Sequence, residues 1–333
     1  MSYTVLTPGS TATNDVHELA IEVLVGLSEH PKRLPSRLFY DDEGSRLFQK
    51  ITTLAQYYLP HCELEIFSAH GPAMLAPLAG QALNVVDLGA GDGHKTAVLL
   101  EQLQAIGADV RYVPIDISKA AMETVTASMA TRFPGMKIAG LVSEYFDGIR
   151  WLGQQSSRRN LVLFLGSNIG NFDKARARGF LRQLWMALGA GDLALIGFDL
   201  KKDIERLLDA YNDEEGVTAA FNLNLLTRLN RELGADFDTS QFRHYGTYNA
   251  LTGAMESYLV SLRQQTVTIP TLEASFSFAA WEPIHTEYSY KYLDTDIEDL
   301  ARFTGFDIQG RYTDSRGWFC STLWTAVKSA SPQ

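Results

Sequence analysis

The stretch Val85-Val86-Asp87-Leu88-Gly89-Ala90-Gly91-Asp92-Gly93 is an apolar run that ends in a carboxylate and three alternating glycines. Glycines at the end of a buried strand remove side chains, so a ligand can approach the backbone and the N-terminus of the helix that follows. Tyr112-Val113-Pro114-Ile115-Asp116 is a second apolar run ending in an acid, which can accept hydrogen bonds from the two hydroxyls of a ribose. Asp116 could instead cap a helix, but Ser118 can do that alone. Glu144-Tyr145-Phe146, after a third run, offers a carboxylate for an exocyclic amine and an aromatic ring for the face of a base. This is chemistry suited to a nucleoside-bearing small molecule. A nicotinamide dinucleotide asks for Gly-x-Gly-x-x-Gly, and the third position of that pattern is here His94. Taken alone, the glycines fit a plain structural turn equally well.

The elements that must position these residues can be read from periodicity. Apolar runs at 83–88, 109–115, 137–142, 161–165 and 193–197 alternate with helical patterns over 95–106, 118–133 and 174–188. That alternation predicts a parallel sheet covered on both faces. Past Asp199 the pattern changes to helical stretches at 203–211 and 216–233 and alternating segments at 255–269 and 276–280, an inserted α+β unit. A helix at 296–303 and an antiparallel pair at 306–313 and 317–327 then resume the sheet. The expected division is residues 1–199, completed by 292–333, as an α/β main domain, with 200–291 as an inserted substrate domain. Residues 1–16, rich in Ser and Thr and without an apolar run, read as a flexible lead-in rather than a signal peptide.

Composition narrows the partners. The 333 residues carry 39 acidic against 29 basic side chains, a net charge of -10, which argues against nucleic acid or an acidic membrane as the main partner. No apolar stretch approaches the length needed to cross a bilayer. Cys62 and Cys320 cannot build a disulfide framework and read as two unpaired thiols in a reducing compartment. A cytoplasmic monomer without a metal site is expected, acting on a small molecule.

The Gly-x-Gly-x-Gly loop with Asp87 at its strand end resembles motif I of class I S-adenosylmethionine methyltransferases. Three further segments resemble the amino-acid Nα-methyltransferases of the ergothioneine pathway, which trimethylate histidine, and their fungal aromatic amino-acid relatives. The first is Leu38-Phe39-Tyr40-Asp41-Asp42-Glu43-Gly44-Ser45, continuing to Tyr57-Tyr58 and Glu63. The second is Phe164-Leu165-Gly166-Ser167-Asn168-Ile169-Gly170-Asn171-Phe172, and the third Thr286-Glu287-Tyr288-Ser289-Tyr290-Lys291-Tyr292. The match runs from about Leu34 to the C-terminus. It departs at Leu59-Pro60-His61, where the family reads Pro-Thr-Arg, and at Ser257, which aligns with a Met of bacterial histidine enzymes.

The resemblance implies a class I, Rossmann-like methyltransferase fold and S-adenosyl-L-methionine as cofactor. It implies cofactor contacts from Tyr40, Asp87, Gly89, Gly91, Lys95, Asp116, Glu144 and Tyr145, and substrate contacts from Tyr57, Gly166, Asn171, Tyr211, Glu287 and Ser289. Within that set Asn171, Tyr40 and Tyr211 are the catalytic candidates. They would hold the amine and carboxylate end of a free amino acid, while Glu287 and Ser289 read the ring, histidine first among the candidates. Two other readings stay open: an Nα-methyltransferase for another aromatic amino acid such as tryptophan, and a non-catalytic, cofactor-binding regulatory protein.

Overall fold

The computed structural model describes residues 3–5, 12–117 and 119–328. The chain divides into two compact units: Met1–Pro8, Leu59–Lys201 and Tyr292–Gln333 form one, and Gly9–Tyr58 with Lys202–Lys291 the other.

In the first unit, nine strands among the described residues form one sheet. Its order is Tyr3–Val5, Gly140–Val142, Asp109–Asp116, Ala82–Leu88, Arg159–Phe164, Leu193–Asp199, Phe319–Ala326 and Phe306–Thr313, with Lys137–Ile138 also paired to Asp109–Asp116. The neighbours are parallel as far as Leu193–Asp199, and the last two strands are antiparallel. Leu83, Val85, Val86, Val113, Ile115, Leu161, Val162 and Leu163 are all buried, the continuous apolar pattern of strands covered on both faces. From Ala82–Leu88 the chain steps outward to Gly140–Val142, then returns to place Arg159–Phe164 on the other side. The reversal makes a topological switch point at the carboxyl ends of these two central strands, the place where ligands bind in open α/β sheets.

Two expectations change here. The third strand is broken at Ala139 into Lys137–Ile138 and Gly140–Val142. Residues 1–16 are not simply a lead-in: Tyr3–Val5 pairs in parallel with Gly140–Val142, and the helix Ala12–Ser28 begins within the stretch. The cap assigned to Ser118 lies outside the described residues. Cys62 and Cys320 are both free and buried. Among the described residues no helix is long and apolar enough to cross a membrane.

In the second unit, Lys32–Arg33, Pro283–Tyr290, Ala254–Ser261 and Phe242–Asn249 form a four-stranded sheet, and Gln265–Ile269 pairs with Ala274–Phe278. The expected division placed residues 9–58 with the main domain. They belong here instead, because Leu19, Val23, Leu27, Leu34, Phe39, Leu47 and Ile51 share one apolar core with Phe221, Leu225, Leu229, Leu259, Ile269 and Ile284. Capping fixes the two central helices. Asp213 accepts the N–H groups of Val217 and Thr218 at 2.8 Å each, starting Val217–Leu233, and Gly234 ends that helix in the left-handed region. Asp41 accepts the N–H of Gly44 at 2.7 Å, starting Asp42–Ile51, and also bonds Asn224 and Arg231. Burial of the Asp41 carboxyl opposes ionisation, but those donors outweigh it and hold its pKa below the usual value. Gly44 is required, since a Cβ there would lie 1.7 Å from the Phe39 carbonyl oxygen.

Candidate active site

In the first unit, the loop after Ala82–Leu88 follows the glycine reading. Gly89, Gly91 and Gly93 all have positive φ, a region that other residues enter only with strain. A Cβ on Gly89 would stand 2.9 Å from the Tyr145 hydroxyl and 3.7 Å from the side-chain nitrogen of Asn168, so both groups lie close over bare backbone. Burial pushes the Tyr145 hydroxyl's pKa far up, with the nearby Asp116 and Glu144 charges adding to it, and the phenol stays a donor. Asp116 is half-buried at the end of Asp109–Asp116, and Glu144 is exposed at the start of the helix Tyr145–Gln155. Asp87, expected among the cofactor contacts, lies buried beneath the loop. Its Oδ2 accepts the hydroxyls of Thr96 at 2.6 Å and Tyr112 at 2.9 Å, which ties the loop to its helix and to the neighbouring strand. Burial raises its pKa to about 6, against the two hydroxyl bonds that favour the ion.

Beside this loop, at the end of Arg159–Phe164, lies the turn that carries Gly166 and Asn171. Gly166 and Ser167 have φ of 70° and 58°, and 168–171 close a 3-10 turn. Glu63, fully buried on the helix Leu59–Leu75, holds the turn: both its oxygens accept the Gly166 N–H, at 3.1 and 3.0 Å, and Oε2 pairs with Lys95 Nζ at 2.5 Å. The Ser167 hydroxyl accepts the Asp199 N–H, and the Tyr292 hydroxyl donates to the Ile169 carbonyl at 3.1 Å. Gly89, Tyr145, Lys95, Gly166 and Asn171 thus sit at adjoining ends of the two central strands, while Asp116 and Glu144 follow the next two strands outward.

In the second unit, ring contacts link Tyr40 to Phe48 at 5.7 Å, Phe48 to Tyr57 at 6.3 Å, and Tyr57 to Tyr211 at 6.5 Å between centroids. The Tyr211 hydroxyl donates to Ser289 Oγ at 2.7 Å, and Lys291 Nζ donates to both, at 3.0 and 2.8 Å. The expectation put Tyr211 at the backbone end of the substrate; its hydroxyl is instead tied to the serine expected to read the ring. Glu287, two residues before Ser289 on Pro283–Tyr290, lies directly across the strand pair from Ser257, next to an irregularity in register. Burial raises the Glu287 pKa to about 7, while the Lys291 charge and a hydrogen bond from the Ser257 hydroxyl favour its ion.

Three residues given no part in the sequence reading support this arrangement. Glu63 and Lys291 fall inside the quoted motifs, yet charged residues are rarely fully buried, and nothing local marks these two as interior. Ser257 was visible as a departure, but its pairing with Glu287 depends on register.

The sequence model of a family described as histidine-specific, S-adenosylmethionine-dependent methyltransferases matches residues 19–326. The chain is 35% identical over 312 residues to a histidine N-alpha-methyltransferase of Mycolicibacterium smegmatis, spanning 94% of this chain and 96% of that one. It is 36% identical over 311 residues to the protein of the same name from Mycobacterium tuberculosis, spanning 93% and 96%. It is 30% identical over 312 residues to ergothioneine biosynthesis protein 1 of Neurospora crassa, spanning 90% of this chain and 35% of that longer protein. With a doubly wound sheet that ends in an antiparallel pair, a glycine loop at its switch point and a family match over nearly its whole length, the chain belongs to the S-adenosylmethionine-dependent, histidine-specific methyltransferase family, and its sheet unit has the class I fold.

Proposed function

We propose that this enzyme methylates the α-amino group of free L-histidine. The observation that carries the reading is the pair Glu287 and Ser289, an acid and a hydroxyl on one face of one strand in a largely buried setting. An acid facing an apolar ring is left poorly paired, whereas an imidazole N–H satisfies it. Ser257 donates one hydrogen bond to Glu287, and the carboxylate keeps further lone pairs for an imidazole N–H. Calorimetric titration with L-histidine in the presence of S-adenosylhomocysteine tests the reading. Heat of binding is expected, and its absence would favour the cofactor-only regulatory reading.

The residues at the switch point fit the cofactor: Gly89 leaves backbone bare beneath Tyr145, where any side chain would fill the space. When bound, S-adenosylmethionine supplies an activated methyl group, so the protein's task is alignment of a neutral amine rather than strong base catalysis. Asp116 would hold the ribose, and Glu144 with Tyr145 the adenine. The turn at 166–171, pinned by Glu63, would present Gly166 and Asn171 to the amine and carboxylate end. Tyr40 and Tyr57 would pack against the amino acid, excluding water from a reaction that disperses charge.

Two results are expected. Asp116→Ala weakens S-adenosylhomocysteine binding by about 1.5 to 3 kcal/mol in calorimetry, since it removes charge-assisted bonds to ribose; unchanged affinity would take Asp116 out of the site. Asn171→Ala lowers methylation of every accepted amino acid by a similar factor, and a change confined to the ranking of side chains would refute its assignment to the common end.

A further inference from the structure

We infer that Lys291 is a positioning residue that fixes Ser289 as a hydrogen-bond donor, so that the site demands a ring carrying an acceptor nitrogen. The inference rests on the histidine reading above and deepens it. Lys291 is buried, and a lysine ammonium has only N–H groups to offer. It donates to Tyr211 Oη at 3.0 Å and to Ser289 Oγ at 2.8 Å. With its oxygen facing the ammonium, Tyr211 turns its own proton onward, donating to Ser289 Oγ at 2.7 Å. A serine oxygen has two lone pairs and one proton. Both lone pairs of Ser289 are therefore taken, and what it has left for a ligand is its O–H.

Glu287 on the same strand has the opposite polarity, since an ionised carboxylate accepts only. The pair thus presents one acceptor and one donor. A neutral imidazole, with one N–H and one bare nitrogen, answers both. An indole or pyrrole answers only Glu287 and would leave the serine proton unpaired in a buried place, which is penalised more than a small change of shape. Discrimination would then be set by Lys291 through two hydroxyl groups.

The test compares L-histidine with its pyrrole analogue, in which carbon replaces the acceptor nitrogen, in steady-state assays of the full chain at saturating S-adenosylmethionine. The wild type is expected to favour histidine by about a hundredfold in kcat/KM. In Lys291→Met, Ser289 regains a free lone pair, and the preference should fall to about tenfold or less; loss of the Lys291 charge also disfavours the Glu287 ion, which both substrates need, and that effect cancels in the ratio. Tyr211→Phe, which removes one of the two donors to Ser289, should give an intermediate preference and keeps the idea testable if Lys291→Met does not fold. A Lys291→Met protein that loses activity on both substrates equally would overturn the inference, as would an unaltered preference in Tyr211→Phe. A wild type that binds cofactor but leaves histidine unmethylated would overturn the histidine reading itself, and that is seen before any variant is made.

Discussion

Replacing Glu287 by Ala should lower kcat/KM for histidine by roughly tenfold to a hundredfold, the effect of losing a hydrogen bond to a charged partner, about 1.5 to 3 kcal/mol. Turnover of a phenyl amino acid, where it occurs, should change little, because its ring has no N–H to lose a partner. The same carboxyl predicts a pH signature. Burial places its pKa near 7, so below that pH the group is protonated and no longer the charged acceptor. The ratio of wild-type to Glu287→Gln activity should therefore shrink as pH falls below about 7 and reach a plateau above it; the ratio cancels titration of the substrate amine. Stability runs the other way. The folded protein binds this proton more tightly than an unfolded chain does, so its contribution to stability is full below the ordinary glutamate pKa of 4.5 and is lost as pH rises through about 7. Glu287→Gln should raise the Tm at pH 8 while impairing histidine turnover. A variant that melts lower and loses nothing in turnover would contradict both halves.

The second large effect belongs to Glu63. Glu63→Ala removes a fully buried carboxylate that pairs with Lys95 and receives the Gly166 N–H. Removing one partner of a buried pair costs about 3 to 5 kcal/mol, but Lys95 keeps 26% of its side-chain surface in water and can be resolvated. A loss of about 2 to 3 kcal/mol is expected, read as a lower midpoint in urea with the slope unchanged. Methyl transfer should fall as well, because the turn that carries Gly166 and Asn171 loses its anchor. Wild-type stability with wild-type kcat in Glu63→Ala would remove Glu63 from the supporting structure.

How much of this was legible in the sequence depended on distance along the chain. The strands Ala82–Leu88, Arg159–Phe164 and Leu193–Asp199 announce themselves because a strand buried on both faces is apolar throughout. The helix Ala12–Ser28 is apolar enough to be noticed, but its partners include Phe221 and Ile269, some two hundred residues away, and no local pattern assigns it to them. The strand Phe242–Asn249 lacks an apolar rhythm and contains Gly246, which is there because a Cβ would stand 2.9 Å from the side chain of Asn212. Among the site residues, the glycine loop and Asp116 follow from their places at strand ends. Glu287 and Ser289 could be named only through the family likeness. The links of Tyr211 to Lys291 and of Ser257 to Glu287 are tertiary, set by strand register and burial, and periodicity carries no trace of them.

Methylation of histidine at its α-amino group can be followed as mass gains when the wild-type protein is offered an equimolar mixture of the free amino acids with S-adenosylmethionine. Histidine is expected to gain methyl groups first, with fragmentation placing them on the α-nitrogen. Methylation of tryptophan, tyrosine or another amine at least about tenfold faster than histidine would contradict it, since a site built from Glu287 and Ser289 should reject rings that cannot pair with both.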